Sequence, residues 1–349
     1  MKRNNNINYD LILDIDKIIK TYHNIILSTK HRDKIFDYDM FYSCNLINIY
    51  NSLKDRTYSH GMYNIFYILK PKPRIIMSEK LNDKIVNHLV SDYLLLPLLN
   101  PCLIDTNVAT RRDKGTKGVI MYMKKYLLKM HAKYDKFYIL KCDISKYFYN
   151  IDHNILFNKL SKYIYDKDIL NIIKNIVNST NYSYVNKKIY NINKKLNMSL
   201  PLYKYNKGLP IGNQTSQLLA IFYLNDLDHF IKEKLHIKYY IRYMDDFILI
   251  HNSKEHLKYC LNEINNVLEK DKLKLNDKTN IYNIKNGITF IGFKYIFKNN
   301  KLILLIPSKT KRRIIKRINN KETNINNYNG YLCFGNTSNF YYKYEKLYF

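Results

Sequence analysis

Hydrophobic residues recur at helical spacing along the first third of the chain. That spacing predicts helices from Asp10 to Tyr67 with short breaks, from Glu79 to Leu96, and from Val119 to His131. The segment Lys70-Pro71-Lys72-Pro73-Arg74 separates the first two, and we expect it to be extended because each proline disfavours helix in the residue before it. The basic stretch from Arg111 to Gly118 contains two glycines and predicts a loop.

Apolar runs with strand propensity mark the rest of the chain. The run from Phe137 to Cys142 predicts a strand that ends just before Asp143, and the run from Tyr239 to Ile250 predicts two short strands around a tight turn. Further helices are expected at 153–176, 218–230, 255–268 and 309–318, the last capped by Ser308, and further strands at 288–295 and 302–306. This order of strands and helices is an α+β pattern.

The charge balance indicates a polyanionic partner. The chain has 58 Lys and Arg against 29 Asp and Glu, a formal net charge of +29. A field of that sign attracts polyanions and speeds their encounter, and phosphate backbones are the obvious case. Charge alone leaves two alternatives open, a Lys-rich soluble protein without a nucleic-acid partner and a protein that meets an anionic membrane surface.

Cysteine spacing and hydropathy argue against several classes of protein: disulfide-rich, zinc-knuckle, secreted and membrane-spanning. Five scattered cysteines, odd in number and never closely paired, argue against a disulfide framework and a zinc knuckle. The N-terminus carries acids where a signal peptide needs an apolar core. The most apolar stretch, from Leu89 to Ile104, contains Asp92 and is too short to span a bilayer. We therefore expect an intracellular, soluble protein with no membrane partner.

Three acids carry the most informative chemistry. Asp245 and Asp246 stand in the turn of the predicted strand pair, where both can face one cation, although a bare acid pair fits an ordinary turn equally well. Asp143 follows a separate strand and supplies a third carboxylate. Carboxylates, waters and substrate phosphates are the ligands that Mg²⁺ prefers, and two ions about 3.5–4 Å apart catalyse phosphoryl transfer. The sequence predicts a site for two Mg²⁺ ions, with Mn²⁺ as the alternative metal.

Five ordered segments resemble the motifs of reverse transcriptases. They are Asp143-Ile144-Ser145-Lys146-Tyr147-Phe148, the loop from Gly208 to Gln217, Tyr243-Met244-Asp245-Asp246, Leu275-Asn276-Asp277-Lys278-Thr279, and Phe290-Ile291-Gly292-Phe293. The resemblance implies an RNA-directed DNA polymerase with a right-hand α+β fold of fingers, palm (antiparallel sheet plus helices) and small helical thumb. The expected boundaries are 1–69 for an N-terminal helical extension, 70–136 for the fingers, 137–300 for the palm with a fingers insertion near 177–215, and 301–349 for the thumb and tail.

The resemblance also implies roles for single residues. Asp143, Asp245 and Asp246, with the Ile144 carbonyl, would hold the metals, and Lys278 would protonate the leaving pyrophosphate. Nucleotide contacts would come from Lys72, Arg74, Phe148, Ile211, Gly212 and Gln217, with the Phe148 ring rejecting ribonucleotides. Template or primer contacts would come from Arg111, Arg112, Lys114, Tyr243, Met244, Phe290, Gly292, Lys309, Arg312 and Arg313.

Structural explanations for several of these residues stay open. Phe148 fits an ordinary core position, and Lys278 fits a solvated surface position. The basic loop at 111–114 and the basic helix at 309–317 fit solvated faces nearly as well. His153 tempts one towards general-base catalysis, but we expect a helix-start residue that is packed or exposed.

Two positions in the Gly208–Gln217 loop suggest a subtype. Many retroviral and intron enzymes place Gln before the Gly and Pro after the Ser, whereas this chain has Ile211 and Gln217 there. That form resembles the reverse transcriptases of diversity-generating retroelements, as does the tail from Gly330 to Asn336. The resemblance implies error-prone cDNA synthesis from a template RNA, a primer and deoxynucleotides, with a small basic accessory protein, in a bacterial or phage-encoded cytoplasmic setting.

Three other functions remain as alternatives. The first is a phage-defence or retron-type reverse transcriptase, which genomic neighbours would distinguish. The second is a catalytically inactive RNA-binding protein, against which the presence of all three acids argues. The third is another metal-dependent phosphotransferase such as a nuclease, against which the lack of an acidic cluster in 319–349 argues.

Overall fold

The structure is a computed structural model that describes residues 7–29, 35–69, 72–337 and 340. The expected extended segment from Lys70 to Arg74 therefore lies partly outside the described residues. In the described part of the chain, no helix is both long and apolar enough to cross a membrane.

Helices and short antiparallel strands alternate along the chain, so the expected α+β class is confirmed. The helices are α1 (Ile15–Ser28), α2 (Phe36–Met40), α3 (Tyr42–Lys54), α4 (Leu81–Leu89), α5 (Leu96–Leu99), α6 (Gly115–Lys133), α7 (Tyr147–Asn150), α8 (His153–Leu160), α9 (Lys167–Asn178), α10 (Ser183–Leu196), α11 (Gln214–Tyr223), α12 (Asn225–His229), α13 (Lys254–Lys270), α14 (Ser308–Asn319) and α15 (Asn329–Leu332). The strands are β1 (Asn64–Ile68), β2 (Arg74–Ser78), β3 (Tyr138–Cys142), β4 (Tyr239–Tyr243), β5 (Asp246–His251), β6 (Asn280–Asn283), β7 (Ile288–Phe290), β8 (Phe293–Lys298) and β9 (Lys301–Leu305).

Backbone contacts divide the chain into two compact units. The first unit comprises Met1–Ile104, Ser145–Asp226 and Leu268–Leu273, and the second comprises Asp105–Ile144, Leu227–Val267 and Lys274–Phe349. Each unit is assembled from segments far apart in sequence. In the second unit, β3, β5 and β6 come from three separate stretches and pair in one sheet. The contiguous boundaries expected for fingers, palm and thumb remain predictions.

The first unit is built around helices and one hairpin. β1 and β2 pair antiparallel, from Asn64 opposite Ser78 to Ile68 opposite Arg74. Alternate side chains of the hairpin are buried, as a half-buried sheet requires. They pack against α10 and the segment that follows it, in a cluster made of Tyr63, Ile65, Ile75, Met77, Val185, Ile189, Leu200 and Tyr203.

The second unit is built on a four-stranded antiparallel sheet with strand order β4-β5-β3-β6. Successive residues of the central strands β3 and β5 are buried, which shows that both faces of the sheet are covered there and explains why these strands are mostly apolar. The three-stranded sheet β7-β8-β9 shares a hydrophobic core with the buried face of α6. Ile314 and Ile318 of α14 are buried in the same core, so the opposite side of that helix faces solvent.

Some local expectations from the sequence are wrong, and each has a physical cause. Residues Asn64–Ile68 form a strand rather than helix because β2 pairs with them. The single helix expected over 153–176 is two helices, since Asp166 accepts hydrogen bonds from the Asp168 and Ile169 amides and so begins a new helix. Ser308 is the first residue of α14 instead of its cap, and Pro307 precedes it.

Candidate active site

The turn between β4 and β5 carries two of the three acids. Tyr243 pairs with Asp246, so Met244 and Asp245 alone form the loop of the hairpin. Met244 has φ of 57°, in the left-handed region that bulky residues avoid. Such backbone costs on the order of 1–3 kcal/mol and persists only where its surroundings hold it. The hairpin therefore places Asp245 at its tip and Asp246 at the start of β5.

Asp143 lies beside this hairpin. β3 and β5 are antiparallel neighbours, and their pairing ends with Cys142 opposite Phe247. The next positions in that register are Asp143 and Asp246, on strands about 4.8 Å apart. All three acids are half-buried. The sheet thus brings Asp143, Asp245 and Asp246 to one end of two neighbouring strands.

Residues 275–278 lie against the same end of the sheet. The Asn276 amide donates a hydrogen bond of 2.7 Å to the Asp143 carbonyl oxygen, and Ile144 forms an isolated antiparallel bridge with Leu275. The acceptor in this pairing is the carbonyl oxygen of Asp143 and not that of Ile144. Lys278 is exposed and lies just before β6, which pairs with β3. Lys278 and the Ile144 backbone therefore lie at the end of the sheet that carries the acids.

The donor set fits a hard divalent cation. Three carboxylates and a backbone carbonyl are oxygen ligands, which Mg²⁺ and Mn²⁺ prefer over the softer ligands of other metals. Among the described residues, no group of three His, Cys, Asp or Glu side chains is placed to hold a metal ion. Like charges at one strand end repel each other, and Mg²⁺ keeps several waters and substrate phosphates in its shell.

A buried ion pair behind the hairpin was not predicted from the sequence. Arg242 of β4 and Asp228 of α12 are both completely buried, with 2.6 Å between Arg242 Nη2 and Asp228 Oδ2. The signal was present, since Arg242 interrupts an otherwise apolar strand and Asp228 follows a leucine in an apolar helical stretch. Sequence spacing could not show that the two charges meet.

The Gly208–Asn213 loop of the first unit is held by its backbone. The Met77 amide donates to the Ile211 carbonyl oxygen at 2.8 Å, and the Leu209 amide donates to the Phe148 carbonyl oxygen at 2.8 Å. Gly212 has φ of 146°, and a Cβ there would lie 2.3 Å from the Met77 carbonyl oxygen. These contacts bring Phe148, Ile211 and Gly212 together beside β2.

Other residues expected at the nucleotide are exposed in the first unit. Arg74 begins β2, and both Arg74 and Lys72 are exposed. Gln217 is exposed on α11. Phe148 and Ile211 are half-buried, so each keeps part of its side chain accessible. None of these five side chains, Lys72, Arg74, Phe148, Ile211 and Gln217, is fully buried in the core.

The basic loop of the second unit is partly folded back on itself. Arg111 donates to the Asn107 carbonyl oxygen at 3.2 Å, and Lys114 donates to the Asp105 carbonyl oxygen at 2.8 Å. Burial lowers the pKa of both basic groups. Arg112 is exposed. Of the three residues expected at template or triphosphate, Arg112 alone extends into solvent.

The turn between β7 and β8 is supported from inside the second unit. Phe290 is completely buried in the core of that unit, and its expected primer contact remains a prediction. Gly292 has φ of 83°, and the Tyr331 hydroxyl donates to its carbonyl oxygen at 2.6 Å. The Phe293 ring packs against the Tyr331 ring. The C-terminal segment thus fixes the shape of this turn.

A basic helix face and a buried histidine complete the set of expected residues. Lys309, Arg312 and Arg313 are exposed on α14, opposite its buried isoleucines. His153 is 2% exposed, and its ring nitrogens lie 2.8 Å from the Gly208 carbonyl oxygen and 3.2 Å from Asn178 Oδ1. His153 is therefore a packed residue at the start of α8 that ties the Gly208 loop to that helix.

Sequence comparison connects these motifs to known proteins. Residues 68–295 match the family model of the reverse transcriptase (RNA-dependent DNA polymerase). A curated relative is the putative COX1/OXI3 intron 2 protein of Saccharomyces cerevisiae, which is 24% identical over a match covering 45% of this chain and 23% of that protein. The chain therefore spans about a quarter of the length of this relative.

Two solved structures share the fold. Apo telomerase from Candida tropicalis, truncated at its C-terminal domain, is similar with a TM-score of 0.51 and 16% identity, covering 72% of this chain and 58% of that one. Telomerase from Candida albicans in complex with a TWJ fragment of telomeric RNA gives a TM-score of 0.52 and 14% identity, covering 78% of this chain and 52% of that one.

Proposed function

Because this chain belongs to the reverse transcriptase family, we propose that it copies an RNA template into complementary DNA by metal-dependent nucleotidyl transfer. The observation that carries the proposal is the meeting of Asp143 with the Asp245–Asp246 hairpin at one end of the β3–β5 pair. The telomerase in complex with RNA shares this fold and supports an RNA template. The net charge of +29 supports binding of a phosphate backbone.

Asp143, Asp245 and Asp246 hold the divalent cations in this proposal, with the Ile144 carbonyl as a further oxygen ligand. Two Mg²⁺ ions would activate the primer 3′-hydroxyl as nucleophile and neutralise charge on the leaving pyrophosphate. The carboxylates position those ions, since the rate of phosphoryl transfer depends mostly on positioning and charge neutralisation. Lys278 donates a proton to the leaving pyrophosphate.

The nucleotide contacts in this proposal come from the residues that the family resemblance assigns to them. Arg74 and Lys72 bind triphosphate oxygens, a role suited to the guanidinium of Arg74 because it offers paired donors. The Phe148 ring excludes a ribose 2′-hydroxyl by contact, and the Ile211–Gly212 backbone and Gln217 line the nucleotide. The held loop supports this assignment, because a preformed backbone reduces the entropy lost on binding.

Primer extension tests the proposal. Purified protein is given an RNA template, an annealed DNA primer, deoxynucleotides and Mg²⁺, and the product is measured for wild type and for Asp245→Asn/Asp246→Asn. The matched control is Asp135→Asn, which alters an exposed acid just before β3. We expect extension by wild type and by the control only. Equal extension by wild type and the double variant would reject the metal assignment, and absence of extension by wild type would favour an inactive RNA-binding protein.

We further propose that the enzyme is error-prone and serves a diversity-generating retroelement, together with a small basic accessory protein and in a bacterial or phage cytoplasm. The support is the combination of Ile211 in the loop, Gln217 on α11, and the Gly330–Asn336 tail. A half-buried Ile211 offers no hydrogen bond beside the nascent base pair, so discrimination that depends on hydrogen bonding is weakened.

Ile211→Gln tests the fidelity account. We expect fewer misincorporations opposite template adenine, measured by sequencing the cDNA, with the rate of correct extension within a few-fold of wild type. An unchanged error spectrum would assign the errors to packing of the template base rather than to missing hydrogen bonds. A template repeat with a variable copy beside the gene would support the retroelement role, and a lone operon would support phage defence.

A further inference from the structure

The peptide group that precedes Asp245 is anchored by a buried charge. Arg242 Nη1 donates a hydrogen bond of 2.9 Å to the carbonyl oxygen of Met244. That carbonyl belongs to the planar peptide joining Met244 to Asp245, so fixing it fixes the plane from which Asp245 begins. Met244 is also the residue in the left-handed conformation. A side chain from β4 thus reaches into the turn at its strained point.

The guanidinium is itself held on its other side. Arg242 Nε lies 2.7 Å from Asp228 Oδ1, and Arg242 Nη2 lies 2.6 Å from Asp228 Oδ2, a two-point contact. The Tyr240 hydroxyl donates to Asp228 Oδ1 at 2.7 Å, and the side-chain Nδ2 of Asn107 donates to Asp228 Oδ2 at 3.4 Å. The carboxylate therefore accepts from several donors, which keeps its position and that of the guanidinium defined.

The backbone of Arg242 is held as well. Its amide donates to the Thr106 carbonyl oxygen at 3.0 Å, and its carbonyl accepts from the Val108 amide at 3.0 Å. β4 is therefore paired on both sides at this residue, with β5 on one edge and the 106–108 segment on the other. Main chain and side chain of Arg242 form one rigid support behind the turn.

Stability does not explain a pair of this kind. Removing both charges from water is costly, and replacing a buried ion pair with apolar residues is often neutral or stabilising. An apolar replacement, however, cannot donate to the Met244 carbonyl. We propose that the Arg242–Asp228 pair is a positioning device that holds the left-handed turn so that Asp245 and Asp246 meet the catalytic cations together with Asp143. This inference rests on the proposed polymerase function.

The size of the effect follows from the tolerance of catalysis to displacement. A shift of about 1 Å at a reacting group can reduce the rate by about 100-fold. Without its anchor the Met244–Asp245 peptide can rotate, because nothing in a methionine favours the left-handed conformation. The device should therefore affect the catalytic rate and the Mg²⁺ requirement, and leave affinity for the primer–template duplex unchanged.

The principal test variant is Arg242→Met/Asp228→Leu, which removes both charges and leaves no lone buried charge. Thermal unfolding, kcat and KM for deoxynucleotides, the Mg²⁺ concentration for half-maximal rate, and duplex Kd are measured. We expect a folded protein whose kcat falls about 10- to 100-fold, with a several-fold higher Mg²⁺ requirement and an unchanged Kd. Lys159→Met/Asp271→Leu is the matched control: it removes a different buried ion pair, leaves Arg242 on the Met244 carbonyl, and should keep kcat within about twofold.

Outcomes of this test separate the inference from the proposed function. If wild type extends the primer and the folded double variant keeps its kcat and Mg²⁺ requirement, the positioning role is overturned. If wild type itself does not extend the primer, the polymerase proposal fails. Should the double variant not fold, Arg242→Lys applies the same test, because a single ammonium cannot replace a planar fork that meets two partners. A folded lysine variant with wild-type kcat overturns the inference.

Discussion

Gly212 offers the sharpest test of the loop beside β2. Replacing it with alanine would put a Cβ 2.3 Å from the Met77 carbonyl oxygen, whereas ordinary contact begins near 3.4 Å. The loop or the strand must therefore move by about 1 Å. The φ of 146° adds strain because alanine rarely adopts it, at a cost on the order of 1–3 kcal/mol. A lower free energy of unfolding and a displaced nucleotide contact should follow together.

The assay combines thermal unfolding with steady-state nucleotide kinetics. A loss of about 2–3 kcal/mol lowers Tm by roughly 4–12 °C for a unit of this size, and a displacement of about 1 Å lowers kcat/KM for deoxynucleotides by up to about 100-fold. Gly330→Ala is the control, because a Cβ there meets nothing within 4 Å and its φ is not left-handed. A Gly212→Ala protein with wild-type Tm and kinetics would refute the loop geometry described above.

Three other predictions concern charge. Burial lowers the pKa of His153, so on acidification the unfolded chain binds a proton before the folded chain does. The free energy of unfolding should therefore fall as pH drops below about 6.5. Urea titrations at several pH values should show this fall, and His153→Gln should give a flatter dependence on pH. Lys159 lies 2.7 Å from the largely buried Asp271. Lys159→Met should lower the free energy of unfolding, measured in urea, by about 3 kcal/mol because it leaves a buried charge without its partner. Adding Asp271→Leu should restore most of that free energy. Arg312→Ala/Arg313→Ala should reduce the salt dependence of RNA binding by about 0.7–0.9 per residue in log–log slope; an unchanged slope would make that helix face a solvated one.

The sequence was sufficient to predict which acids form the candidate site and which strands carry them. The apolar runs around Asp143 and around Asp245–Asp246 predicted β3, β4 and β5 within one or two residues, because a tight turn between strand-forming runs is a local property. The order of motifs indicated the family, and the order of strands and helices indicated the α+β class. What joins Asp143 to the hairpin is the register of β3 on β5, which the spacing of motifs suggested and the strand pairing supplies.

Other features depend on contacts between distant residues and had no local signal. The apolar spacing up to Tyr67 predicts helix, whereas pairing with β2 makes Asn64–Ile68 a strand. Phe290 fits a primer contact by motif, whereas its burial depends on the core formed with α6 and α14. The Arg242–Asp228 pair joins a strand to a helix, so neither residue reveals its partner in sequence.

Metal stoichiometry tests the central claim most directly. Mn²⁺ bound to the complex of protein, RNA template, chain-terminated primer and matching deoxynucleotide is counted by electron paramagnetic resonance, for wild type, Asp143→Asn and the control Asp135→Asn. Two tightly bound ions in wild type and in the control, with one or both lost in Asp143→Asn, is the expected result, because the carboxylate of β3 shares the cations with the hairpin acids. Equal Mn²⁺ occupancy in all three proteins would show that Asp143 is not part of a shared metal site, and the account of catalysis would fail with it.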